Sequence, residues 1–296
     1  MNVQDKNLRM MEAFTQSDRE KLEKLCQMLD ELLEKGDCCV AFSAGVDSTV
    51  VLKLACMQAK KRGRIVYAVT FQTMLHPQAD RELAMKLAQA YGARGKILQV
   101  DEYEIPQILD NPPDRCFYCK DYLFGALQQF ARGKGCTCVL DGTNGDDWKV
   151  FRPGLKALQK NHIISPLAVC GYTKAQVRAL AEALGVETAF KPSTPCLATR
   201  LPYGAELDRR LLQKIEAGEM YLTQLGFRTS RIRVHDTIVR IEVEPEDFSL
   251  LLQYREQVVS YLKKQGFGYI TMDLQGLRSG SMDEMLSEEL KASLTV

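Results

Sequence analysis

Apolar residues recur at helical spacing near the start of the chain. In "TQSDREKLEKLCQMLDELLEKG", Leu22, Leu25, Met28, Leu29, Leu32 and Leu33 share one face, and Gly36 is a stop. Beyond it the pattern changes. Short unbroken apolar runs, "CCVAFS", "IVYAVTF", "GKILQVD", "TCVLDGT" and "HIISPL", alternate with helical stretches that include "STVVLKLACMQAKKRG", "QADRELAMKLAQAYG", "CKDYLFGALQQFARGKG" and "TKAQVRALAEALG". Strands of this kind are buried on both faces, and their alternation with helices predicts an α/β fold built on a doubly wound parallel sheet. Ligands of such sheets lie beyond the carboxyl ends of the strands. A Pro-rich stretch, "KPSTPCLATRLPYG", closes this part near residue 200. The remaining chain reads helix (208–225), strand "SRIRVHD", strand "IVRIEVE", helix (245–265) and strand "YITMDLQ". The expectation is a first domain over 1–200 with an N-terminal helix, and a second, smaller α/β domain over 201–296.

Composition removes several function classes. Lys and Arg number 39 against 38 Asp and Glu, a net charge of +1, which argues against a dedicated nucleic-acid surface. No apolar run approaches the ~20 residues of a membrane span, and "MNVQDKNLRMMEAF" lacks the apolar core of a signal peptide. A reduced, cytoplasmic protein is expected, with no membrane partner and most of its 10 cysteines used as small hydrophobes.

Candidate chemistry sits in three places. The first strand runs into "FSAGVDSTVVLKLA", where Ser43, Gly45, Asp47, Ser48 and Thr49 lie between a strand and a helix start. Free amides at a positive helix end suit an anion, although the same residues also suit an ordinary capped turn. No GxxxxGK followed by Ser or Thr is present, so γ-phosphate chemistry is not favoured. The second place is "DRCFYCKDY", in which Cys116 and Cys119 are spaced for a metal or cluster site, a redox disulfide at a helix start, or neither. The third is Cys196 in "TPCLATR", a proline-bounded turn followed by Arg200; a nearby arginine favours a thiolate. Asp141, Asn144, Asp146 and Asp147 end the fourth strand at ligand depth, or cap a turn there. Arg231 and Arg233 alternate on a strand and so face one way.

The order Ser-x-Gly-x-Asp-Ser resembles the pyrophosphate loop, SGGxDS, of the PP-loop ATP pyrophosphatases, with Ala44 where the second glycine usually stands. With "LDGTNGDDWKVFRPG", "SPLAVCGYTKAQVRALAEALGV", "KPSTPCLATRLPYG" and "RIRVH…VRIEVEPEDF", nearly the whole chain resembles the ATP-dependent sacrificial sulfur transferases of the LarE family. These install sulfur in the nickel-pincer nucleotide cofactor of lactate racemase. The resemblance implies that Ser43, Ala44, Gly45, Val46, Asp47, Ser48 and Thr49 bind ATP with Mg²⁺. It implies cleavage to AMP and pyrophosphate and adenylation of a carboxylate on a pyridinium dicarboxylate mononucleotide. Cys196 matches the cysteine that handles sulfur, which in single-cysteine members forms a thioester and ends as dehydroalanine. A subgroup carrying CxxC as well is similar to this sequence. There the counterparts of Cys116, Cys119 and Cys196 hold a 4Fe–4S cluster whose uncapped iron carries sulfide. By the same resemblance Arg231, Arg233 and Arg200 contact the substrate nucleotide, and homo-oligomers are expected. The competing readings are a tRNA-thiolating enzyme on the same loop, a cluster-free sacrificial transferase, and an ATP-binding sensor that never turns over.

Overall fold

A computed structural model of the protein describes residues 14–76, 79–192, 194–278 and 280–294. Helix α1 (Gln16–Lys35) opens on a capping box in which the Thr15 hydroxyl accepts from the Asp18 amide and the Asp18 carboxylate accepts from the Thr15 amide, both at 3.2 Å. Its predicted apolar face is the one that packs. Leu25, Leu29 and Leu33 are buried, and Leu22, Met28 and Leu32 lie against the same core.

Next along the chain come β1 (Cys38–Ala41), α2 (Val46–Arg62), β2 (Val66–Gln72), α3 (Ala79–Ala90), β3 (Arg94–Gln99), α4 (Arg115–Gly133) and β4 (Cys138–Leu140). The four strands are parallel in the order β3-β2-β1-β4, with Cys39 of β1 opposite Tyr67 on one side and Val139 on the other. The expected fifth strand, "HIISPL", contracts to a single bridge from Ile164 to Leu140. Two residues later Pro166 opens a short helix, and a proline cannot donate to the ladder. Helix α2 is enclosed over most of its length: eleven of its 17 residues are buried, between the sheet, α1 and α5 (Lys174–Ala183). That encasement makes its N-terminus a fixed point beyond the end of β1.

The rest of the chain folds as α6 (Arg209–Gln224), β5 (Ser230–His235), β6 (Ile238–Val243), α7 (Arg255–Lys264) and β7 (Tyr269–Met272). Strands β5 and β6 are antiparallel, and β7 joins β6 in parallel. The helix expected over 245–265 is bent at Tyr254, between Phe248–Gln253 and α7. Hydrogen bonds run through the bend, from Tyr254 N to Leu250 O (3.1 Å) and from Val258 N to Tyr254 O (3.0 Å). The core under this second sheet includes Ile215, Ile232 and Val239, and it is continuous with Leu75, Ile108, Cys119 and Leu123 of the first half. Among the described residues no helix is long and apolar enough to cross a membrane.

Candidate active site

The turn between β1 and α2 is tied to itself. Ser48 Oγ donates to Gly45 O (3.1 Å) and lies 3.2 Å from Ser43 Oγ, while Thr49 Oγ1 donates to Gly45 O (2.7 Å). Gly45 is the N-cap of α2 and brings no side-chain acceptor, so the first amides of the helix face outward for a ligand. Ala44 adopts φ 54°, the left-handed region, at the one position where the sequence departs from the family loop. An L-residue holds that backbone at about 1–2 kcal/mol, which the burial of the Ala44 methyl helps to offset. Gly142, one residue after Asp141 in "LDGTN", closes on this turn from β4. A Cβ built there would sit 2.5 Å from Ser48 N and 2.8 Å from its Cα.

The acidic residues divide by task. Asp47 accepts from Asn144 Nδ2 (3.1 Å) and is ion-paired with Lys174. Asp147 accepts from the Asn144 amide (3.0 Å) and pairs with Arg152 (2.7 Å). Asp141 is buried and accepts from the hydroxyls of Ser165 (2.6 Å) and Thr143; burial pushes its carboxyl up. Asp146 receives the Lys174 amide (2.8 Å), which holds its carboxyl below the usual range. Asp47, Asp141 and Asp147 line the central cavity, whereas Asn144 caps the turn that carries Asp146 and Asp147.

That cavity has a volume of about 460 Å³, and its wall includes Ser43, Gly45, Val46, Asp47 and Ser48 together with Cys116, Cys119 and Cys196. The three cysteines are brought there by specific ties. Cys116 and Cys119 lie in the first two turns of α4, one turn apart on the same side. The Cys196 segment is fastened by Leu197 N to Leu75 O (2.7 Å), and by Asn111 Nδ2 to the carbonyls of Ala198 (3.3 Å), Leu201 (3.2 Å) and Pro202 (2.8 Å). Burial pushes the thiols of Cys119 and Cys196 up, and at Cys196 the Arg115 guanidinium works against it. All ten cysteines are free thiols. Among the described residues, no three His, Cys, Asp or Glu side chains are arranged around a single metal ion. An iron–sulfur cluster makes a different demand, since it spreads its thiolates over separate irons.

Two of the three arginines that the sequence singled out are paired with acids. Arg200 grips Glu219 through Nε (2.7 Å) and Nη2 (2.9 Å). Arg233 grips Glu242 in the same two-pronged way (2.9 and 3.0 Å) and also reaches Thr199 O and Ser281 Oγ. Burial, and then the like charges of Arg200 and Arg233, push Arg231 down to about 10. None of the three lines the cavity. The cavity's own cations are seven other Lys and Arg side chains, set against three aspartates. Among them are Arg81, Lys120, Arg178 and Lys191, which no sequence pattern singled out for a role.

Comparison with known proteins agrees with this geometry. Residues 27–188 match the asparagine synthase family. Pyridinium-3,5-bisthiocarboxylic acid mononucleotide synthase of Lactiplantibacillus plantarum is 36% identical over 249 residues, 84% of this chain and 90% of that one. An uncharacterized protein of Synechocystis sp. is also 36% identical, over 90% of this chain and 98% of its own length. An uncharacterized protein of Methanocaldococcus jannaschii is 28% identical over 88% of this chain. A pyrophosphate-type loop at the carboxyl edge of a parallel sheet, thiols on the same cavity wall and likeness along most of the chain lead to one conclusion: this protein belongs to the LarE family of PP-loop, ATP-dependent sulfur transferases.

Proposed function

We propose that the protein activates a carboxylate of a pyridinium dicarboxylate mononucleotide with ATP and replaces one of its oxygens by sulfur. The observation that carries this reading is the shared cavity wall, which puts the nucleotide loop and three thiols around one space. A carboxylate oxygen attacks the α-phosphorus of ATP and pyrophosphate leaves; the acyl-adenylate formed then exchanges AMP for a sulfur nucleophile, giving the thiocarboxylate. The amides at the start of α2, with the Ser43 and Ser48 hydroxyls, are placed to hold the departing pyrophosphate. Asp47, kept in position by Asn144 and Lys174, is the carboxylate best placed beside them to take Mg²⁺.

Cys116, Cys119 and Cys196 would hold the 4Fe–4S cluster, and the absence of any disulfide leaves all three able to ligate. Such a cluster supplies sulfur to the substrate and so spares the protein's own cysteine. A second reading has Cys196 give up its sulfur and become dehydroalanine, and its place on the cavity wall with the nucleotide loop supports that as well. The same proposal divides the chain near residue 200 and assigns the second part to substrate binding and homo-oligomer contacts. There Arg231, crowded by Arg200 and Arg233, gains from an incoming phosphate.

Anaerobically purified protein given ATP and the nucleotide should release AMP and pyrophosphate and contain iron with acid-labile sulfide. ADP and phosphate as products would overturn the ATP assignment. Stoichiometric dehydroalanine at Cys196 in iron-free protein would select the second reading.

A further inference from the structure

Among the described residues three arginines are almost wholly buried: Arg115 at 3% exposure, Arg200 at 1% and Arg233 at 5%. A guanidinium withdrawn from water requires an anion to meet it. Arg200 has Glu219 and Arg233 has Glu242, each held through two nitrogens. Arg115 has no such carboxylate among the described residues. It donates through Nη1 to Asn111 Oδ1, and Nη2 lies 3.5 Å from Cys116 Sγ. Three groups that act on it and can bear negative charge are Cys116, Cys196 and Tyr203. Tyr203 donates a hydrogen bond through its hydroxyl to Asp283 (2.7 Å), and burial keeps that phenol protonated. Sulfur is what remains.

The aim of this cation is fixed. Asn111 is fully buried in the left-handed region, at φ 46°, four residues ahead of Arg115. Its amide oxygen takes Arg115, and its amide nitrogen takes three carbonyls on the C-terminal side of Cys196. One side chain therefore sets the guanidinium and the third cysteine together. We infer that Arg115 is a positioning residue of the sulfur site: a fixed counter-ion, aimed by Asn111, that neutralises the anionic sulfur gathered at Cys116 and Cys196. The inference rests on the sulfur chemistry of the proposed function.

The test uses full-length protein reconstituted anaerobically with iron and sulfide, as wild type, Arg115→Met, Arg115→Lys and Asn111→Ala, each checked by thermal melting. Two quantities are read: the rate of iron loss to EDTA and the reduction potential of the bound iron. Removing a charge-assisted contact should speed iron loss in Arg115→Met roughly tenfold or more. It should also lower the potential, because a lost positive charge disfavours the added electron. Arg115→Lys should recover most of both effects. Asn111→Ala, which keeps the charge but frees its aim, should fall between, and it remains informative if Arg115→Met does not fold. Equal behaviour of the Met and Lys variants, or a potential unmoved in every variant, would overturn the counter-ion role. Wild-type protein without iron would sink the cluster reading itself. The role of Arg115 is then decided on the free thiols: neutral iodoacetamide should alkylate Cys116 more slowly in Arg115→Met, and an unchanged rate overturns the inference.

Discussion

A methyl group at position 142 has nowhere to go. The nearest atoms to it are backbone of Ser48 and Asp47, in the first turn of the helix that presents the nucleotide loop, and backbone does not step aside as a long side chain can. Overpacking of this kind costs about 1–3 kcal/mol, and the strain falls on the loop. Gly142→Ala should therefore cut pyrophosphate release by an order of magnitude or more while circular dichroism stays native; an active variant would remove the loop-packing role. Glu102 is a second residue that its sequence context conceals. It is buried and accepts from the Met74 (2.8 Å) and Leu75 (3.3 Å) amides, yet burial still raises its carboxyl above the usual range. A proton binds the folded form more tightly than the unfolded one. Stability should thus fall as pH rises through the ordinary carboxylate range and level off above the raised folded value. Glu102→Gln should flatten that slope in denaturation curves taken from acid to neutral pH. The serines and aspartate of the loop were legible because residue type and order carry their chemistry. Gly142, Asn111 and Glu102 were not, because each matters through a neighbour remote in sequence.

At the scale of elements, the arginines of the second sheet act as rivets. Arg233 on β5 and Glu242 on β6 form a buried pair, and the half-buried Arg240 meets the same carboxylate at 3.0 Å. Arg233→Ala removes the two-pronged partner and leaves that carboxylate to Arg240 Nη2 at 3.0 Å, which should cost about 1.5–3 kcal/mol in chemical denaturation. Combined apolar replacement of both partners should recover most of the loss. A variant of normal stability that binds the nucleotide poorly would instead restore the phosphate role expected from sequence. The strand that carries Arg231 and Arg233 was plain from alternation alone. Their acid partners were not, because pairing depends on which strand lies alongside and in what register. A similar limit explains the missing fifth strand: "HIISPL" has the composition of a strand, but Pro166 turns it into a helix after one bridge.

Across the whole molecule, the apolar cluster that supports the second sheet also takes in Cys119, Leu123, Leu197 and Leu201 around the sulfur site. The Pro-rich stretch near residue 200 is where the sequence suggests a division, but one apolar core holds residues from both sides of it. Full-length protein should accordingly unfold calorimetrically in one transition, and two well-separated transitions would show that the halves are energetically independent. The ties at Asn111 carry this continuity into the order in which the molecule is made. Its amide must wait for carbonyls 87, 90 and 91 residues further along the chain. While the polypeptide is being synthesised from its N-terminus, the pair of thiols on α4 exists before the third has been translated. Completion of the proposed sulfur site thus waits on residues made well after the first two thiols, and a polypeptide cut short before Cys196 carries the nucleotide loop without the third thiol of the cavity wall.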